Sequence, residues 1–155
     1  MPLRRRFALL LSAATAALVA AGVPGCGWLP REPAVPMPVQ RFPATCDTQH
    51  HTLLVLLPGR GMTLGELARE GFVDAFRTQR LAVDLVLADA HLGYFKARTV
   101  VQRLHADVIA PARAQGDPHI RLAGISLGGL NALLYAGEHP AATTGSPGAT
   151  SGRAC

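Results

Sequence analysis

Residues 119–137 read HIRLAGISLGGLNALLYAG, and this stretch decides the fold. Residues 119–125 read as a strand and residues 127–137 as a helix, so Gly124-Ile125-Ser126-Leu127-Gly128-Gly129 falls where one hands over to the other. A G-x-S-x-G turn in that place is tight and strained. The residues two before and two after the Ser must be small for strand and helix to approach. The helix beginning beneath the Ser turns its N–H groups and the positive end of its dipole toward any oxyanion formed there. The apolar strand before the motif and LNALLYA after it separate it from a glycine-rich turn with an incidental Ser.

The pattern upstream is regular. Residues 53–57 (LLVLL), ended by Pro58-Gly59, read as a strand buried on both faces. Residues 64–79 carry apolar side chains at Leu64, Leu67, Ala68, Phe72, Ala75 and Phe76, a helical spacing despite Gly71. Residues 81–88 (LAVDLVLA) form a second strand, with Asp84 inside it. Residues 96–115 form a second helix that Pro111 bends, with His105 and Asp107 on its solvated face. His139 could cap the third helix. Strand and helix alternating three times imply an α/β fold: a parallel sheet with flanking helices, three layers in αβα order, and right-handed crossovers. Sites in such folds gather at the strand C-termini. The stretch Asp89-Ala90-His91-Leu92-Gly93-Tyr94 lies there, either as pocket lining or as a plain loop turning at Gly93.

The 155 residues, 49% hydrophobic and 16% charged, suit one domain and exclude disorder throughout or a coiled coil. A charge of +5 suggests nucleic acid until its placement is considered. Arg4, Arg5 and Arg6 precede every acidic residue, so the basic excess belongs mostly to a leader and no nucleic-acid partner is expected. Residues 1–25 read as a signal peptide: a basic start, then the Ala-rich apolar run of residues 7–23, at the lower limit for spanning a bilayer. Val23-Pro24-Gly25-Cys26 resembles a bacterial lipoprotein processing site, although Pro24 replaces the usual small residue. That resemblance implies lipidation at Cys26, export, and lipid anchoring to a bacterial membrane at the cell envelope. The alternative is a plain signal peptide with an incidental Cys. Cys46 and Cys155 remain and could pair in an oxidising compartment. Residues 26–43, with Pro30, Pro33, Pro36, Pro38 and Pro43, read as an extended tether holding the domain of residues 44–140 off the membrane. No Cys/His spacing suggests a metal, and no cofactor is expected.

From residue 53 to residue 140 the chain resembles the α/β-hydrolase family. The likeness rests on the elbow at Gly124, Ser126, Gly128 and Gly129 and on the apolar strand followed by Pro58-Gly59-Arg60-Gly61. That turn matches the place where the family carries His-Gly-x-Gly, here with Pro58 instead of His. The resemblance implies that Ser126 is the nucleophile, that the Arg60 and Leu127 backbone N–H groups form an oxyanion hole, and that the substrate is a small-molecule ester.

The family's order is Ser, then Asp or Glu, then His. After Ser126 only Glu138 and His139 offer an acid and a His, and they lie a helix length away, roughly 18 Å at 1.5 Å per residue. They cannot be triad partners. Residues 141–155 (AATTGSPGATSGRAC) contain no apolar residue larger than Ala apart from the last Cys, a composition that suits GC-rich coding DNA read out of frame. Read one base onward, residues 145–153 permit an apolar strand and turn; the alternative is a natural disordered C-terminus. Two functions are expected. One is a serine hydrolase of α/β-hydrolase type acting on carboxylic esters, inactive as this truncated chain. The other is a non-catalytic envelope lipoprotein that binds a partner or a small acyl ligand on the same fold.

Overall fold

The strand β2 (Thr52–Leu57) lies between β3 (Val83–Ala88) and β4 (His119–Gly124), parallel to both. The computed structural model describes residues 30–45, 52–116 and 119–140; the expectations for the leader, Cys26, Cys46, residues 141–155 and Cys155 lie outside them. β2 is apolar at every position after Thr52 because both its faces are covered. Leu53, Val55 and Leu57 join one core, while Leu54 and Leu56 join the other.

The sheet is mixed, which corrects the expectation of a parallel one. β1 (Val39–Phe42) pairs antiparallel with β3, giving the order β1-β3-β2-β4. Val39–Phe42 is the proline-free gap between Pro38 and Pro43. Proline donates no ladder hydrogen bond, so the segment can serve only as a short edge strand. The Ala44 N–H, just past it, donates to the Asp84 carboxylate at 2.6 Å, which accounts for an acid inside an otherwise apolar strand.

Residues 30–43 are therefore not a tether. Met37 is buried, its N–H donating to Asp107 at 2.7 Å. The Ala34 carbonyl accepts from the Tyr94 hydroxyl at 2.7 Å, and Arg31 forms a bidentate pair with Asp89. The segment straps the sheet at the end where the parallel strands finish.

Helices cover both faces. α1 (Leu64–Arg69) and α2 (Phe72–Thr78) pack Leu67 and Val73 against Leu56, Leu85 and Leu87. The single helix expected over residues 64–79 breaks at Gly71, whose φ of +85° stops one helix and starts the next. Thr63 and Glu66 close a reciprocal capping box that fixes where α1 begins.

On the other face, α3 (Leu92–Lys96) precedes a run of three segments: α4 (Val100–Leu104), a π-helical turn (His105–Ile109) and α5 (Ala110–Ala114). Pro111 has no N–H for the Asp107 carbonyl, and its ring would crowd that carbonyl in an α-helix. The chain widens instead, the Ala110 N–H bonding back to the His105 carbonyl. Asp107 is not on a solvated face: its side chain is nearly buried and accepts from Arg103 Nε at 2.8 Å as well as from Met37. α6 (Leu127–Glu138) completes this layer.

The topology locates a crevice. From β2 the chain crosses to β3 on one side, then returns past β2 to β4 on the other. Right-handed crossovers in opposite directions must place their helices on opposite faces, as the two cores record. The connections diverge beyond the C-terminal ends of β2 and β4, the switch point where open α/β sheets bind ligands.

Candidate functional site

The register pairs Leu57 with Gly124, so the segments after β2 and β4 leave the sheet side by side. The Ile125 N–H extends the ladder by one bond to the Leu57 carbonyl, at 3.1 Å. The chain then reverses at Ser126, with φ 51° and ψ −111°, a conformation that an L-residue adopts only under strain. The Gly128 N–H donates to the Ile125 carbonyl at 2.9 Å, and the Leu130 N–H to the Ser126 carbonyl at 3.2 Å, so α6 starts at once. Ser126 is exposed at the rim.

Contact explains the glycines. A Cβ on Gly124 would overlap the backbone of Gly128, and a Cβ on Gly128 would overlap the carbonyl of Leu57. At Gly129 the restriction is milder, 3.3 Å from the Gly124 carbonyl oxygen. Strand and helix thus meet backbone to backbone, and the bend that results exposes Ser126.

Beside it, the Met62 N–H closes a turn onto the Gly59 carbonyl at 3.1 Å, with Arg60 and Gly61 at its centre and Gly61 at φ +80°. A Cβ on Gly59 would stand 3.5 Å from the Ile125 carbonyl oxygen, so the turn bearing Arg60 abuts the turn bearing Ser126. Leu127, the first residue of α6, has an N–H with no acceptor one helical turn earlier. The structure thus brings Ser126, Arg60 and Leu127 to neighbouring turns at the switch point.

The stretch after β3 is packed interior and neither lines a pocket nor turns at Gly93. Ala90 and Tyr94 are fully buried, Asp89 and His91 nearly so, and Gly93 lies within α3 against the Arg31 carbonyl. His91 caps α3, its Nδ1 accepting from the Gly93 N–H at 3.0 Å. Burial, then the Arg31 guanidinium, hold its pKa below the ordinary 6.5, and Asp89 opposes them. Among the described residues, no imidazole forms a hydrogen bond with Ser126. His105 binds the Tyr135 hydroxyl at 3.0 Å and stacks on His139 at the far end of α6, and His119 opens β4 at the opposite rim. His139 does stand at the C-cap of α6, its N–H bonded to the Tyr135 carbonyl.

Sequence reasoning missed two supports. Asn131, fully buried one turn into α6, donates to the Ala90 carbonyl at 2.9 Å and ties the elbow helix to the segment after β3; its Oδ1 is buried without a partner. Arg31 reaches both Asp89 and the Met62 carbonyl, at 3.4 Å, bracing the Arg60 turn. A polar Asn inside an apolar helical run was a readable signal; an Arg among prolines was not. Comparison with protein-family models, with curated proteins and with solved structures finds no match, so the site stands on its geometry.

Proposed function

We propose that Ser126 is the nucleophile of a serine hydrolase site of the α/β-hydrolase type acting on carboxylic esters, in a chain anchored at the cell envelope through lipidated Cys26. The observation that carries the reading is the backbone of Ser126, held at φ 51° and ψ −111° between two glycines whose contacts admit no side chain. Strain of about 1–3 kcal/mol persists only where the surroundings enforce it, and it clusters at active sites. In this reading Ser126 Oγ attacks the ester carbonyl, the Arg60 and Leu127 N–H groups take up the oxyanion, and the alcohol leaves an acyl-Ser126 that water releases.

An imidazole must take the Ser proton and a carboxylate must orient it. The described residues provide neither at Ser126, and a site without them retains at most roughly 10³–10⁴-fold catalysis over water. Taken with the described residues alone, this favours the second reading: a lipoprotein that binds an acyl ligand or a partner without turning it over.

Fluorophosphonate labelling and ester hydrolysis test both readings. The chain should label slowly, and a version read in the next frame past residue 144 should label rapidly, unless Ser126→Ala is introduced. No labelling in the read-through protein removes the hydrolase reading and leaves the binding one. Robust Ser126-dependent hydrolysis by the 155-residue chain would show that the base lies within it.

A further inference from the structure

The folding of the proline-rich segment changes how far a lipid at Cys26 can lie from the domain. Only residues 27–30 (GWLP) separate Cys26 from Arg31. Arg31 is pinned by two hydrogen bonds to Asp89, at 2.9 and 2.8 Å, just beyond the end of β3. Five extended steps of chain reach at most about 17 Å. The six-residue strands are themselves about 20 Å long. An anchor at Cys26 thus holds the rim where the parallel strands end nearer the bilayer than the rim where they begin. Ser126 and the Arg60 turn stand on the nearer rim. So does the strap, whose Val35 is 68% exposed beside an exposed Pro36. The linker itself contains Trp28 and Leu29, side chains suited to the membrane interface.

We propose that this rim lies against the bilayer, and that the ester class Ser126 is placed to meet is the acyl ester of a membrane lipid. The proposal rests on the lipid-anchored hydrolase reading above and adds to it an orientation and a substrate class. A tether of residues 26–43 would have let the domain tumble well clear of the surface; the folded strap does not.

The test uses the full chain, expressed with its leader and recovered in membranes. A photo-crosslinking benzoylphenylalanine is placed at Leu130, exposed near the elbow, or at Glu138, exposed at the other end of the same helix. A third variant carries it at Val35, so that a folding failure at Leu130 leaves the rim measurable. Lipid adducts from Leu130 and Val35 should exceed those from Glu138 several-fold. A Gly-Ser spacer of about twenty residues after Trp28 should erase the difference by freeing the domain. Equal adducts from both ends of α6, or more from Glu138, overturn the orientation. Fatty-acid incorporation is followed in parallel. If Cys26→Ser leaves incorporation unchanged, or none occurs, the anchor fails and the orientation with it; incorporation with even crosslinking overturns the orientation alone.

Discussion

Ser126 carries a conformational cost that only a glycine would escape. Its φ of 51° with ψ of −111° lies outside the regions open to L-residues. We expect Ser126→Gly to be more stable than Ser126→Ala by about 1 kcal/mol in denaturant unfolding, because relief of strain exceeds glycine's added chain entropy. Equal stabilities would mean that the turn is not strained. Gly128→Ala should behave oppositely, losing about 3 kcal/mol or its cooperative transition, since the new methyl would strike the Leu57 carbonyl. Two titrating groups shape the acid side of the stability curve. Burial would raise the Asp107 carboxyl, but hydrogen bonds from Arg103 and from the Met37 N–H outweigh it and hold it below the ordinary 3.8. A lowered folded-state value stabilises above the unfolded pKa and is lost as pH falls through the folded one. His91 is held below 6.5, so the unfolded chain binds its proton first and stability starts to fall below that pH. Asp107→Asn should cost about 1.5–3 kcal/mol at pH 7 and flatten the loss below about pH 4.

At the scale of elements, the strap of residues 30–38 and the edge strand β1 belong to the domain by every contact they make. β1 covers the outer edge of β3, and Met37 fills the core beside the π-helical turn. A chain beginning at residue 44 should therefore lose its sharp thermal transition, whereas one beginning at residue 30 should keep it. Cooperative unfolding of the shorter chain would contradict the strap's role. Arg31→Ala removes the partner of Asp89, whose side chain is 8% exposed while that of Arg31 is 46% exposed. The cost lies between that of a surface pair and that of a buried one, about 2 kcal/mol.

At the scale of the molecule, the described sheet ends on the short strand β1 at one margin and on β4 at the other. Among the described residues β4 pairs only with β2, and beside it α6 exposes Leu130, Leu133 and Leu134, Leu133 at 72%. An uncovered strand edge beside an apolar helix surface invites pairing with other chains. We expect the domain to associate as its concentration rises, and Leu133→Glu to weaken that association in sedimentation velocity. Identical profiles for the two proteins would show that this margin is inert.

The sequence by itself determined the three parallel strands, their helical connections and the elbow. Both-face burial writes an uninterrupted apolar run, as in residues 53–57, and a backbone-to-backbone crossing writes glycines on either side of Ser126. These are local signals, legible wherever a periodicity or a turn is imposed on a few consecutive residues. The helix break at Gly71 and the widened turn before Pro111 were legible only as irregularities, because the packing decides whether such residues bend a helix or end it. Only the tertiary structure decided that the proline-rich segment is part of the fold. Its partners Asp84, Asp89, Tyr94 and Asp107 lie 40 to 70 residues away. Composition records what a segment cannot do locally, here donate to a central strand; it does not record a surface elsewhere in the chain that supplies the missing bonds.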